Sequence, residues 1–548
     1  MNKLLSDASL SRYATFVLAL IGTLISGLIF VLSGSGFWVL LVFAALTAIG
    51  VRDLRQTQHA ILRNYPILGH MRFLFEFIRP EIRQYFIESE NEAAPFSRAQ
   101  RSLVYARAKG QSDKRPLGTQ LDVQAIGYEW LTHSMSPTDI ASSDFRVKVG
   151  GPACAHPYDI SLFNISAMSF GALSANAVLA LNKGAKLGNF AHDTGEGSIS
   201  RHHLVHGGDI IWEIGSGYFG CRNAEGKFDA NKFEQNARRD VVKMIEIKLS
   251  QGAKPGHGGV LLGPKVTEEI AEARGVAVGE DCISPNAHSS FSTPLELMDF
   301  IVQLRNLSGG KPVGFKLCIG HPWEWFAVAK AMTERNIYPD FIVVDGSEGG
   351  TGAAPLEFSD HLGTPMREGL RLVHNTLVGL GLRDKIRLGA SGKIVSAFDM
   401  ACALALGADW CNSARGYMMA IGCIQAQTCH TGHCPTGVTT QDPLRQRALV
   451  VTDKAERVKN FHHHTLEALR ELLEASGLHV PSELHPGMIL KRLSMTEVKS
   501  LEKLYPSMRS GDLLNVQEPS SLQEPFRTHW AHASSTTFSR QWLDRRSS

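Results

Sequence analysis

The sequence predicts an α/β protein whose body is a (β/α)8 TIM barrel, preceded by a two-helix transmembrane hairpin and accompanied by helical accessory segments. Three observations predict it. Two long apolar runs stand at the N-terminus. Short apolar segments then alternate with helical stretches between residues 146 and 450. Those segments repeatedly end in Ser, Lys, Asp, Gly or Asn, as expected of a barrel that collects its chemistry at the C-terminal ends of many strands. A doubly wound sheet is the alternative architecture.

The 548 residues are 44% apolar with 51 glycines, a composition of a large globular enzyme rather than a disordered chain. A formal net charge of +3 is nearly balanced and does not point to nucleic acid as a partner.

The hairpin comes first. Residues 13–32 are twenty positions without a formal charge, the length a bilayer asks of a helix. Ser33-Gly34-Ser35-Gly36 breaks the run, and residues 37–51 supply a shorter second one. A cleaved signal peptide and a buried core hairpin are the competing readings. Lys3 and Arg12 precede the first run, and Arg52, Arg55 and Arg63 follow the second. Positive charge on both outer flanks predicts a two-pass protein of the cytoplasmic (inner) membrane with its catalytic domain in the cytoplasm.

Behind the hairpin (1–55), residues 56–145 form an accessory N-terminal segment rich in Arg, including Arg63, Arg72, Arg79, Arg83 and Arg98. These arginines read as a solvated or lipid-facing surface. The barrel is expected over 146–450, with candidate strands at 161–168, 244–249, 313–317, 341–344, 385–388 and 408–411. From 451 to 548 the sequence predicts a helical segment, clearest at 464–475, and a polar tail.

Within the barrel region, ISAMSFGALS from 165 joins a strand to a helix through Gly171 and carries Met168 and Ser169. Small residues there let a flat ring approach the backbone. Gly389-Ala390-Ser391-Gly392-Lys393 and Asn412-Ser413-Ala414-Arg415-Gly416 close two later strands and form an anion cradle of the kind late barrel strands offer a phosphate. Neither a P-loop nor a strand-borne GxGxxG accompanies them, which favours flavin mononucleotide over a nicotinamide dinucleotide. The run Gln251-Gly252-Ala253-Lys254-Pro255-Gly256-His257-Gly258-Gly259, with Lys248 before it and Arg274 after, sets cations among flexible glycines. Lys254 and Arg274 suit the two ends of a dicarboxylate, unless the loop is merely a solvated basic turn. Glu196, in a DTGEG loop, can steer ammonia or an imine proton. Gly346 lies in the loop that opens at Asp345, a residue read as structural.

Cys423, Cys429 and Cys434 stand with five and then four residues between them, and Pro435 follows the last. Converging thiolates on a glycine-containing loop fit an iron-sulfur cluster, and three of them point to three irons. Zinc with His430 or His433, and unliganded thiols, remain open on spacing alone.

Taken in order, MSFGALS, TGEG, QGAKPGxGG, DGxxGGTGA and the cysteine run ending CPTGV with Gln441 make residues 150–450 resemble the synthase domain of glutamate synthases. The resemblance implies FMN and a 3Fe-4S cluster in a (β/α)8 barrel, and reductive amination of 2-oxoglutarate through 2-iminoglutarate to L-glutamate. It implies flavin contacts from Met168, Ser169, Lys316 and Gly346. It places the phosphate at Gly389, Ser391, Gly392, Ser413 and Ala414, and the oxoacid at Gln251, Lys254 and Arg274. Glu196 and Lys265 match further family positions. Cys423, Cys429 and Cys434 would ligate the cluster.

Glutamine-using members begin with an amidotransferase domain and an N-terminal cysteine, whereas this sequence starts Met1-Asn2-Lys3. Ammonia is therefore expected from outside the chain, and electrons from a ferredoxin or a separate flavoprotein subunit. His257 and Val260 depart from the family's Glu and Gln. That departure opens a second reading, a related FMN oxidoreductase acting on another oxoacid, imine or N-methylglutamate-type substrate. A third reading is a membrane electron-transfer subunit.

Overall fold

A computed structural model describes residues 12–91, 94–514 and 521–539; Lys3 and the tail positions 540–548 lie outside the described residues. The chain divides into two compact units, Met1–Arg98 and Ala99–Ser548.

In the first unit, uninterrupted apolar sequence gives α1 (Ala14–Ser33) and α2 (Phe37–Arg55). Gly34, at φ +66°, ends α1, and Gly36, at φ +85°, opens α2. The two helices pack through notches: a Cβ at Gly22 would run into the Phe43 ring, and one at Gly50 into the Phe16 ring. Thr23 and Thr47 share a hydroxyl hydrogen bond of 2.8 Å between the helices, the small-residue and hydroxyl contacts that hold helices together in apolar surroundings. Both helices are long and apolar enough to cross a membrane, and most of their large side chains point outward, with Leu24 67% and Val31 80% exposed. A further helix, α3 (Gly69–Ile82), follows in the same unit.

The second unit is built on a closed barrel of parallel strands in sequence order: β1 (Phe163–Ile165), β2 (His192–Asp193), β3 (Ile210–Ile214), β4 (Val242–Lys248), β5 (Val313–Leu317), β6 (Phe341–Asp345), β7 (Arg387–Ser391) and β8 (Trp410–Ser413). Closure of β8 onto β1, with Cys411 beside Phe163 and Ser413 beside Ile165, excludes the doubly wound alternative. Six strands stand within a few residues of their expected positions. The other two, β2 and β3, carry His192, Asp193 and Glu213, which weaken the apolar signal.

An antiparallel hairpin, Arg146–Val149 with Tyr158–Ser161, plugs the barrel at the strand starts. There Val149 and Ile160 join Ala191, Ile211, Met244, Phe341, Val343 and Trp410 in one buried cluster. Apolar packing thus seals that end, and the polar residues are left to the other.

Outside β1, α4 (Ala175–Gly188) packs against α5 (Val451–Ala475). A Cβ on Gly184 would clash with Val458, so the glycine sets how closely the helices approach. His462 of α5 stacks on Phe190 at 4.0 Å between centroids. α5 begins thirteen residues before the clearest expected stretch because Ala455, Val458, Phe461, His462, Thr465 and Leu466 continue the buried stripe through a charge-rich segment. Residues after Ala99 also pack within this unit: the Tyr105 hydroxyl donates to the Cys423 carbonyl at 2.8 Å.

Candidate active site at the strand ends

The loops after β1 and β2 meet at glycines. Gly195, at φ +64°, approaches so closely that a Cβ would lie 2.6 Å from the Ser169 amide, and one on Gly197 would lie 2.8 Å from the Ser169 Cβ. Met168, buried, and Ser169, half-buried, are thereby set beside the loop that carries Glu196.

An insertion after β4 supplies the cations. Its helix Glu268–Arg274 is capped by Thr267 and followed by Gly275 at φ +65°. Arg274, only 5% exposed, donates from Nη2 to the Phe170 carbonyl at 3.0 Å, and its guanidinium carbon lies 5.1 Å from the centre of the Phe219 ring. Its Nε is buried without a hydrogen-bond partner among the described residues. Lys254, 2% exposed, donates to the Gly258 carbonyl at 2.8 Å. Lys248, from the end of β4, pairs with Glu196 at 2.9 Å. Burial pushes the Glu196 carboxyl up, yet Lys248, Arg274 and Lys254 together hold it below its ordinary value. Burial draws the Lys254 ammonium down, with Glu196 opposing.

The arrangement is three cations around one carboxylate, a surplus of two positive charges in a largely buried place. It is chemically suited to a dianion. Gln251 is half-buried at the start of the same loop. Asp345 accepts from the Gly252 amide at 2.7 Å and so fixes the loop's entry. The His257 ring packs edge-on to Phe358 at 5.5 Å.

Lys316 is placed elsewhere. Inside the barrel it pairs with Glu213 and, at 3.2 Å, with Glu246. Asp193, Glu213 and Glu246 are all buried, with carboxylate oxygens within 4.8 Å of one another. Burial, with Glu213 adding to it, drives the Asp193 carboxyl up to about 7 against the pull of Lys316. Glu246 is raised well above its ordinary value by burial; burial opposes the charge on Lys316, yet Glu213, Glu246 and Asp193 hold its ammonium well above its own ordinary value. The sequence reading missed Glu213 and Glu246. The available signal was a carboxylate inside each of two apolar runs, IIWEI and MIEIK, which barrel register sets side by side.

Late strand ends converge as a third group. The Gly346 amide donates to the Ser391 carbonyl at 2.8 Å, and the Ser166 and Ser391 hydroxyls lie 3.4 Å apart. Gly389 has no room for a side chain, since a Cβ would lie 2.7 Å from the Trp410 ring. A Cβ on Gly392 would lie 2.8 Å from the Met366 Cβ. The Ser413 hydroxyl donates to the Ile394 carbonyl at 2.6 Å, so its side chain braces the loop that Ala414 continues. Lys393, at φ +53°, and Arg415 stand near enough that Arg415 lowers the Lys393 ammonium, second to burial. Lys393 and Arg415 beside the half-buried backbone of Gly392 and Ala414 and the Ser391 hydroxyl fit a phosphate monoester such as that of FMN.

The three cysteines line one concavity with Met418, Thr436 and Thr439, and neither His430 nor His433 is among its lining residues. Burial raises Cys423 to about 11. Cys434 is lowered to about 7, because hydrogen bonds from Thr436 and Thr439 outweigh burial. Three soft thiol donors on one concavity are a ligand set that an iron-sulfur cluster takes. A Cβ on Gly352 would lie 3.2 Å from the Cys429 Cβ, so the loop after β6 touches the thiol loop. Lys265 donates to the His430 carbonyl at 2.7 Å.

Residues 153–479 match the family described as "Conserved region in glutamate synthase". The "Glutamate synthase large subunit-like protein YerD" of Bacillus subtilis is 38% identical over 495 residues, covering 83% of this chain and 94% of that protein. An archaeal glutamate synthase (NADPH) of Methanocaldococcus jannaschii is 36% identical over 315 residues, covering 57% of this chain and 58% of that one. The glutamate synthase (NADPH) large chain of Bacillus subtilis is 33% identical over 334 residues, which are 59% of this chain and 20% of that one. The chain thus spans nearly all of the first relative and only part of the other two. With the family match across most of the barrel unit and near-complete coverage of the YerD protein, the chain belongs to the glutamate synthase family.

Proposed function

We propose that this protein is an FMN-dependent oxidoreductase that reductively aminates 2-oxoglutarate, through 2-iminoglutarate, to L-glutamate. The observation that carries the reading is the buried surplus of positive charge formed by Lys248, Lys254 and Arg274 around Glu196. Bound FMN supplies hydride chemistry at an imine carbon, and a 3Fe-4S cluster supplies single electrons. Gly389, Ser391, Gly392, Ser413 and Ala414, with Lys393 and Arg415, would hold the phosphate, and Met168, Ser169, Lys316 and Gly346 would face the flavin. Cys423, Cys429 and Cys434 would hold the cluster.

Lys254 and Arg274 bind the two carboxylates of the oxoacid. Arg274 has an unpaired Nε to offer. Lys254 exchanges its bond to the Gly258 carbonyl for a stronger one to a carboxylate. Glu196, kept ionised by its three cations, accepts a proton from ammonia as it adds to the keto carbon and passes it to the carbonyl oxygen; a second such transfer from nitrogen lets that oxygen leave as water and gives the imine. Ammonia is the nitrogen donor, and electrons come from a ferredoxin or a separate flavoprotein.

α1 and α2 anchor the enzyme in the cytoplasmic membrane as a two-pass hairpin. Their outward-facing apolar side chains support this, and Arg52 and Arg55 in the last turn of α2 favour a cytoplasmic barrel.

A second reading keeps the chemistry and changes the substrate. His257 against Phe358, with Val260 following, gives this loop more apolar surface and one fewer amide than the family pattern. That favours a related oxoacid or an amine such as methylamine. A pure electron-transfer role is disfavoured, since a relay has no use for a buried dianion site.

The test is to reduce the holoprotein and screen oxoacids with ammonia or methylamine for reoxidation of the flavin. Turnover with 2-oxoglutarate and ammonia is expected. Preference for methylamine would select the second reading, and no turnover with any pair, at full FMN and iron content, would overturn both.

A further inference from the structure

Between the apolar hairpin and the barrel unit, α3 presents a surface that neither the barrel chemistry nor the spans use. Met71, Leu74, Phe75, Ile78 and Ile82 recur at three- and four-residue steps, which aligns them on one face of a helix. The chain then continues helically through Arg83–Ile87, which adds Tyr85 and Phe86. This face is not buried: Met71 is 45%, Leu74 48%, Phe75 57% and Ile82 38% exposed, Phe86 beyond them 85%, and neighbouring Phe77 79%. So many large aromatic and aliphatic groups in one exposed stretch mark an interaction surface.

A row of charge borders it. Arg72, Glu76, Arg79 and Arg83 follow the same steps about a quarter-turn round the helix, and all four are exposed. From Arg52 to Arg83 there are six arginines against three acids, Asp53, Glu76 and Glu81. An apolar face edged by arginines is the pattern of a helix lying in a bilayer interface, its rings among the acyl chains and its guanidinium groups at anionic headgroups.

The helix is also fixed to the end of the hairpin. Asp53 of α2, 2% exposed, accepts from the Ile67 amide at 2.9 Å and pairs with the His70 ring at 2.9 Å. Ile67 takes φ +66° to make that turn. The chain leaving α2 is therefore clamped as α3 begins, and the arginines at the foot of the span join those of α3.

We propose that residues 69–87 form an interfacial helix seated on the anionic cytoplasmic leaflet, continuous with the transmembrane hairpin. The proposal rests on reading α1 and α2 as membrane spans. Continuity with the apolar hairpin and the arginine excess favour lipid over a protein occupant.

The test uses the full chain reconstituted in vesicles of phosphatidylcholine with phosphatidylglycerol. A photoreactive benzoyl-phenylalanine replaces Phe75 or Phe86 and, as a control on α1, Leu24. Lipid adducts are expected at all three positions. The triple variant R72Q/R79Q/R83Q, or vesicles of phosphatidylcholine alone, should reduce the adducts at 75 and 86 by about fivefold or more, leaving position 24 unchanged. Lipid adducts at 24, with only protein adducts or none at 75 and 86, would overturn the interfacial helix and keep the hairpin. Absence of lipid adducts at 24 as well would overturn the membrane reading, and this proposal with it.

Discussion

Lys248 Nζ lies 2.9 Å from the Glu196 carboxylate, at a place where Lys254 and Arg274 also act on that one acid. The carboxylate is outnumbered by cations inside the protein, and the imbalance gives the site its use. Because the cations hold Glu196 below its ordinary value, it is ionised throughout the neutral range. The pH-rate profile should show no inflection from Glu196 above the ordinary glutamate value of about 4.3. The variant E196Q should bind an oxoacid at least as tightly as the wild type and turn over about a hundredfold or more slowly. Steady-state kinetics that split KM from kcat would check this.

Removing Lys254 should act on binding. K254A loses a buried charge-assisted contact and should weaken oxoacid affinity by about 10- to 100-fold, leaving the flavin absorption spectrum intact. Loss of the flavin in this variant would mean that the loop serves the cofactor.

Lys316 neutralises part of the acid cluster inside the barrel, so K316M should cost about 3–5 kcal/mol of stability in urea unfolding. Asp193 adds a pH signature. Its carboxyl is raised to about 7 in the fold, whereas in the unfolded chain it titrates near 3.9. Between about pH 4 and 7 the folded form holds the proton that the unfolded form has lost, so this group makes stability fall as pH rises through that window. D193N should flatten that part of the curve.

Each cluster thiol should be needed for iron and dispensable for the barrel. C429S should purify with FMN and far less iron and sulfide than the wild type, measured chemically and by visible absorption. Full iron retention would remove Cys429 from the ligand set.

A chain beginning at residue 56 should leave membranes on a salt wash, whereas the full chain should require detergent. The first retains the arginine-edged α3, and the second also carries the spans. Fractionation followed by immunoblotting reads both.

Much of this was legible in the sequence, for identifiable reasons. β5 and β6 were legible because VGFKL and FIVVD are compact apolar runs, and the nearness of Cys423, Cys429 and Cys434 because they lie within one loop. The Glu213–Glu246–Lys316 cluster was not, since an inward carboxylate becomes visible only when neighbouring strands are placed in register. Lys316 stands at the C-terminal end of β5, as its sequence position suggests, but its pairing with Glu213 and Glu246 depends on the same register. β2 has only two residues, too few for any periodicity, and the long approach of α5 hid its apolar stripe among charges. The compact units divide after Arg98, within the stretch 56–145 expected as an accessory segment. Contacts such as Tyr105 with Cys423 join residues more than three hundred positions apart, which no local pattern records.

The central claim is that Lys254 and Arg274 receive the two carboxylates of one oxoacid. Calorimetric titration of the oxidised holoprotein with 2-oxoglutarate, and with pyruvate as a one-carboxylate control, tests it most directly. Binding of 2-oxoglutarate at least about tenfold tighter than pyruvate, with the difference lost in K254A, is the predicted result. Equal affinity for the two acids, or a preference untouched by K254A, would contradict it.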